Sequence, residues 1–161
     1  MVSALQILDE NLDSVHFLAN VFSSSFFPTR DGIVVGMKGQ DGRVPIGSLG
    51  DGMRRLMVIA TALAFTKQGC LFVDEIDTGL HYSVMSDMWK LVVAKASAAN
   101  SQVFATTHSW DCIEGLALLR QQEPALASSV AIHKIDRALP HSVPFSAESI
   151  VRMVKADIDP R

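Results

Sequence analysis

CLFVDEIDTGLH, residues 70–81, is the stretch whose reading decides the fold. An apolar run, Cys70, Leu71, Phe72 and Val73, ends in two adjacent carboxylates, Asp74 and Glu75. A short apolar run preceded by a glycine stop at Gly69 and ended by charge reads as a buried strand of the kind parallel sheets use. Open α/β sheets place their ligands at the carboxyl ends of such strands. Paired acids there suit Mg²⁺ coordination beside a base that activates water, the chemistry of nucleotide hydrolysis.

Outward from this strand, helical and strand patterns alternate. Upstream, residues 52–66 set Met53, Leu56, Met57, Ala60, Leu63 and Ala64 on one helical face, and Gln68-Gly69 stops the helix. Downstream, residues 82–97 place Met85, Trp89, Val92, Val93 and Ala96 on one side of another helix. A strand over 102–106 and a helix over 109–120 complete a second step. Residues 130–135 are a further strand candidate, and Ser146 is placed to cap a last helix over 147–156. Such alternation calls for an α/β fold with a parallel sheet covered by helices on both faces.

The amino-terminal part reads differently. Leu5, Leu8, Leu12, Val15, Ala19 and Phe22 recur at helical spacing, which predicts an amphipathic helix within 1–22, with Ser3 and Gln6 placed as a capping box. Residues 23–31 read as a loop. Two short strands, 32–38 and 43–46, flank the turn 39–42 and predict a hairpin over 32–46.

Composition narrows the class. At 161 residues the prior is a single domain, 1–161. Apolar residues make up 48% and charged residues 19%, below the usual quarter. That balance fits surface meant for burial against a partner lobe or subunit, and equally a well-packed α/β domain. With a net charge of −3 there is no electrostatic footprint for nucleic acid, so such a partner is unsupported though possible. Cys70 and Cys112 lack metal-ligand spacing and read as reduced, buried thiols. No basic segment leads into an apolar one at the start, and the longest apolar run, 56–65, is too short to span a bilayer. The expected localisation is cytoplasmic, with no membrane partner.

Two further motifs flank the acid pair: SLGDGMRR, residues 48–55, and ATTHS, residues 105–109. At this order and spacing, the three blocks resemble the second half of an ABC-type ATPase head. The closest likeness is to the OLD-like and SMC-like branch, among AAA-type ATP-binding proteins, and it runs over residues 47–110. The resemblance implies that Asp74 holds Mg²⁺ through water and that Glu75 polarises the attacking water. It implies that His108 is the switch histidine touching the γ-phosphate, and that Asp77 lies in a D-loop crossing a dimer interface. Ser48, Gly50 and Gly52 would form the signature turn offered to a nucleotide bound by the opposite subunit. A helix N-terminus rich in free amides suits that task, because its dipole favours an anion.

Three positions depart from the family pattern. Gly50 stands where a serine is usual, Asp51 where a glycine is usual, and His81 where many members carry an acid. Ser48 is the nearest hydroxyl to the Gly50 position. Arg54 and Arg55 are placed to offset Asp51 or to contact phosphate.

The chain also lacks a Walker A loop. Its one nearby G-x-x-x-x-G, residues 42–47 (GRVPIG), has no lysine after it, and Pro45 removes an amide donor. The resemblance therefore implies an incomplete P-loop NTPase-type sheet that lacks the P-loop strand. Its core would span residues 47–136, followed by a C-terminal helix over 146–157. ATP would be the substrate, with Mg²⁺. An N-terminal P-loop lobe, missing or on a separate subunit, would be needed for turnover, and the isolated chain would be inactive. Homodimers or higher self-association would follow from the shared sites. The competing reading is a non-catalytic dimerisation or regulatory module derived from such an ATPase, which the missing P-loop and Gly50 favour.

Overall fold

The computed structural model describes residues 1–18, 32–156 and 158. Its centre is the predicted strand–helix alternation. Helix α2 (Asp51–Phe65) leads into β4 (Cys70–Val73), then a single 3₁₀ turn (Tyr82–Val84) and α3 (Met85–Ala98). β5 (Gln102–Ala105) and α4 (Trp110–Gln122) complete the second step. β4 and β5 pair in parallel, with Cys70 opposite Gln102 and Val73 opposite Ala105. Ser109 caps α4 by accepting the Cys112 N–H, and Ser146 caps α6 (Ala147–Lys155) by accepting the Ser149 N–H, each satisfying an otherwise orphaned donor.

One apolar core joins these elements. Met53, Leu56, Met57, Ile59 and Leu63 of α2 meet Met85, Met88, Val92 and Ala96 of α3, with Ile76 and Cys112 between them. Leu71 and Val73 of β4 and Val103 of β5 pack onto it from one side of the parallel pair. Full burial of side chains such as Leu56 or Met88 contributes roughly 1.5–3 kcal/mol each. Gly115 lets α4 approach the start of α3, since a Cβ there would stand 2.5 Å from the Met85 Cβ.

Among the described residues nothing covers the other side of the parallel pair, which corrects the expectation of two covered faces. Phe72 is 74% exposed and Phe104 45% exposed. Their rings stack at 5.0 Å and 9° across the ladder. Alternation along a strand sends Leu71 and Val73 inward and Cys70 and Phe72 outward, so a single layer of helices covers only one set.

The first 17 residues also depart from expectation. Only Val2–Leu5 is helical (α1), capped by Met1 without a side-chain bond, and β1 (Leu12–Phe17) follows. Ser3 and Gln6 form no capping box, and Gln6 Nε2 instead donates to the Leu12 carbonyl at 2.8 Å. Asp9 accepts the Asn11 N–H at 2.9 Å and closes a turn that breaks the helical run. Beyond it, β1 pairs antiparallel with β2 (Ile33–Met37), which pairs antiparallel with β3 (Arg43–Pro45). The apolar spacing of Leu12 and Val15 fits helix or strand locally, and pairing with residues about twenty positions later selects strand. Ala19 and Phe22, like the loop read over 23–31, lie outside the described residues.

Leu12 and Val35, with Ile46 just after β3, carry this antiparallel sheet onto the same core as α2. The GRVPIG stretch is β3 followed by a 3₁₀ turn (Ile46–Leu49). Near the end of the chain, α5 (Pro124–Ala127) precedes β6 (Ile132–Lys134), which pairs with β7 (Val143–Phe145). The strand expected at 130–135 is thus a short hairpin arm whose partner carries Pro144. α6 lies on α4 through Ile113, Ala117 and Ile150. Among the described residues no helix is long and apolar enough to cross a membrane.

Candidate functional site

The parallel register sets the geometry. Because Val73 lies opposite Ala105, the residues that follow, Asp74-Glu75 and Thr106-Thr107, emerge side by side at the carboxyl edge of the sheet. Backbone bonds extend the match past the strands: the Thr106 N–H donates to Val73 at 3.0 Å and the Ile76 N–H to Thr106 at 3.0 Å. The Thr106 hydroxyl donates to Asp74 Oδ1 and accepts the Glu75 N–H at 2.9 Å. One threonine therefore fixes the carboxylate of the first acid and the backbone of the second.

Glu75 adopts φ 46°, a left-handed conformation that costs a non-glycine residue about 1 kcal/mol or more. It turns the chain sharply, buries Ile76 beneath and leaves Asp74 and Glu75 exposed above. The Thr78 hydroxyl donates to Glu75 Oε2 at 3.2 Å, and the Thr78 N–H to the Glu75 carbonyl at 3.1 Å. Asp77 accepts the Thr107 hydroxyl at 2.5 Å. The segment 74–80 is thus stitched to the 106–107 pair by side-chain hydroxyls.

The turn at the start of α2 sits against this segment. Gly50, at φ 91°, is the residue before the helix, and a side chain there would be strained. That conformation accounts for glycine where the resembled family carries serine. A Cβ on Gly52 would stand 2.6 Å from the Gly79 carbonyl oxygen, so the α2 N-terminus and the 77–80 loop touch backbone to backbone. Gly79 itself has φ 78°. Asp51 is exposed and pairs with Arg54 at 3.7 Å, one turn along the helix. Ser48 lies in the preceding 3₁₀ turn and donates its hydroxyl to the Pro45 carbonyl at 2.7 Å, so it turns away from the Gly50 position.

Among the remaining predicted residues, His108 is exposed on the loop between β5 and the α4 cap, close in sequence to the Thr106–Asp74 junction. His81 caps the 3₁₀ turn through Ser83 and tilts against the Tyr82 ring at 4.2 Å, an arrangement facing solvent. Cys112 lies beneath the site and is fully buried. Burial pushes its thiol up to about 12, with the Thr107 hydroxyl opposing and the Asp77 charge assisting. Cys70 is exposed on the bare face, contrary to the expectation that both thiols are buried.

Sequence reading placed Asp74, Glu75, Asp77, Gly50, Gly52 and His108 in blocks that the fold assembles at one edge. It passed over the work of Thr106, Thr107 and Thr78, whose hydroxyls hold the acids. For Thr106 and Thr107 the signal was the doublet itself, at the end of the strand predicted over 102–106. Arg55 is the other surprise. Its Nη2 donates to the backbone carbonyls of Asp74 and, at 2.8 Å, Glu75, instead of reaching toward an anion. Among the described residues no group of three or more His, Cys, Asp or Glu side chains could hold a metal ion by itself.

Residues 3–113 match the AAA ATPase domain family, well over half of the chain, and the protein belongs to that family. The matched stretch contains the α2 turn, both acids and His108. Among curated proteins the chain is similar to an ATP/GTP phosphatase of Helicobacter pylori (strain ATCC 700392 / 26695), with 29% identity over 111 residues. The match covers 66% of this chain and 30% of the phosphatase, so the chain spans less than a third of that relative. Among solved structures it is similar to one from a study of ATP-driven dimerization and DNA-stimulated activation of SMC ATPases. The TM-score is 0.58 at 15% identity, over 99% of this chain and 92% of the other, a likeness of fold.

Proposed function

We propose that this chain is the C-terminal, signature-bearing lobe of an ABC-type ATPase head, which hydrolyses ATP in the cytoplasm once a P-loop-bearing lobe or subunit completes it. The observation that carries this reading is the convergence of Asp74, Glu75, Asp77 and the 106–107 hydroxyls on one sheet edge, with the α2 turn packed against Gly79. Membership of the AAA ATPase domain family supports it.

Each group has a role in this scheme. Glu75 polarises the attacking water, and Thr78 orients its carboxylate. Asp74 would hold Mg²⁺ through water. A single exposed carboxylate fits that ion, which keeps several waters and takes the rest of its shell from phosphates. The ion would supply charge neutralisation at the triphosphate. His108 contacts the γ-phosphate. The turn at Gly50 and Gly52 receives the nucleotide of the opposite subunit, with Asp77 in the D-loop beside it. Ser48 would have to release Pro45 to join. Asp51, paired with Arg54, opposes phosphate less than a lone carboxylate would.

The bare face of β4–β5 fits a missing lobe. Parallel strands are normally covered on both faces, and the stacked Phe72 and Phe104 form an apolar platform for that cover. Nucleotide-dependent dimerisation would follow from the two half-sites.

The test is reconstitution with a P-loop-bearing lobe. Glu75→Gln keeps shape and hydrogen bonding but removes the charge that polarises water, so turnover should fall at least ~10²-fold while ATP-bound complexes still assemble. Asp74→Asn should raise the Mg²⁺ requirement, and His108→Ala should weaken ATP binding relative to ADP. The chain by itself should bind Mg–ATP with Kd above about 1 mM and show negligible turnover. Near-full turnover in the Glu75→Gln head would end the assignment.

A further inference from the structure

We propose that Arg55 is a positioning residue, one that holds the Asp74–Glu75 corner in shape and ties it to the α2 turn. The inference rests on the ATPase reading above for its kinetic consequences, and on geometry alone for its structural ones. Arg55 stands one helical turn past Gly52 on α2, yet it spends its guanidinium on main chain. Nη2 donates to the carbonyls of both Asp74 and Glu75, and Nε is buried without a hydrogen-bond partner.

Two carbonyls accepting from one cationic nitrogen point the same way. That convergence goes with the left-handed turn at Glu75 (φ 46°), a conformation that persists only when the surroundings over-determine it. The other bonds at Glu75 come from the Thr106 hydroxyl after β5 and from the Thr78 hydroxyl and N–H within the loop itself. Arg55 is the restraint from α2. The same helix touches the other end of the loop, where Gly52 meets Gly79. Any shift of the α2 turn, as on engaging an anion, is therefore felt at both ends of residues 74–79.

Arg55 thus acts through Glu75 and does not touch the reacting atoms. The expected signature is a kcat effect without a KM effect. In the complete head, Arg55→Gln should lower kcat roughly 10-fold with KM for Mg–ATP unchanged, since small misplacements of a catalytic group have effects of this order. Arg55→Lys should restore turnover to within about 3-fold, because one ammonium with several donors can serve both carbonyls. In a Glu75→Gln background, Arg55→Gln should add nothing further, the mark of residues acting as a unit.

Amide hydrogen exchange on the 161-residue chain gives an independent readout. Arg55→Gln should speed exchange at Glu75, Ile76 and Thr78 while amides of residues 56–63 keep their protection. Unchanged exchange in the corner, undiminished kcat, or a loss additive with Glu75→Gln would each overturn the proposal. If Glu75→Gln itself leaves turnover intact, the ATPase assignment fails, and the exchange result still decides the role of Arg55 in holding the corner.

Discussion

Gly52→Ala puts the contact between the α2 turn and the 77–80 loop under direct strain. The added Cβ would lie 2.6 Å from the Gly79 carbonyl oxygen and 3.4 Å from Leu80 Cδ2. Ordinary contact begins near 3.4 Å, so something must move by most of an ångström, and the offending atom is backbone. The loop cannot give freely. Asp77 is held by Thr107 at 2.5 Å, the Leu80 N–H by Asp77 at 3.0 Å, and Gly79 already sits at φ 78°. Overpacking of this kind costs roughly 1–3 kcal/mol. Against it stands the gain from replacing glycine in a helix, at most about 1 kcal/mol and less in the first turn. The balance is a net loss of about 1 kcal/mol, which for a chain of this size lowers Tm by roughly 2–4 °C. Calorimetry on the variant measures it, with Gly42→Ala as the control, since a Cβ there meets nothing within 4 Å. In the complete head the displaced loop should also slow turnover by up to ~10²-fold. A Gly52→Ala chain with unchanged or raised Tm, and unshifted amide resonances at 77–80, would refute the close approach.

Gly115→Ala should be the more damaging glycine change, because its Cβ would meet Met85 Cβ at 2.5 Å and the Ser86 nitrogen at 3.0 Å at the α3–α4 crossing; chemical denaturation should show a loss of about 1–2 kcal/mol despite the better helix former. Phe72→Ser, by contrast, alters a side chain that is mostly in solvent, so stability should stay within about 0.5 kcal/mol while association with the P-loop-bearing lobe, followed by light scattering, should weaken, and unchanged association would argue against this face as the contact surface. The two thiols should separate cleanly: exposed Cys70 should react with an alkylating reagent at neutral pH, and Cys112 only on unfolding. Burial raises the folded pKa of Cys112 from 9.0 to about 12, so the folded state retains a proton the unfolded chain loses, and its stabilising contribution should fade as pH rises through 9 to 12; Cys112→Ser or →Ala should flatten that part of the stability–pH curve.

How much of this could be read from the residues differs between the two halves of the chain. Between residues 51 and 122, the elements declared themselves locally: helical faces of five or six apolar residues for α2 and α3, a stop at Gln68-Gly69, a serine at the start of α4, and two short apolar strands. Local signals of that strength fix α2, β4, α3, β5 and α4, and motif order then puts Asp74, Glu75 and His108 at the carboxyl edge of a parallel pair. Residues 5–17 carried no such unambiguous period. Their leucines and valine fit a helix as well as a strand, and the choice fell to pairing with Ile33–Met37, a contact invisible to any local window.

The same division runs through the site. The acids, glycines and histidine are residue types whose chemistry is legible in a motif. What holds them is not. The Thr106 hydroxyl reaches Asp74 only because Val73 and Ala105 are in register. Arg55 binds carbonyls, which every residue has, so no pattern of side chains could have pointed to its partners. The exposed Phe72–Phe104 face likewise emerges only when the helices are in place and, among the described residues, none lies on that side of the strand pair. Sequence specified the groups proposed to react because their identity is side-chain chemistry. Tertiary structure decided their orientation, because that depends on register, on a left-handed backbone at Glu75, and on glycines that let two main chains touch.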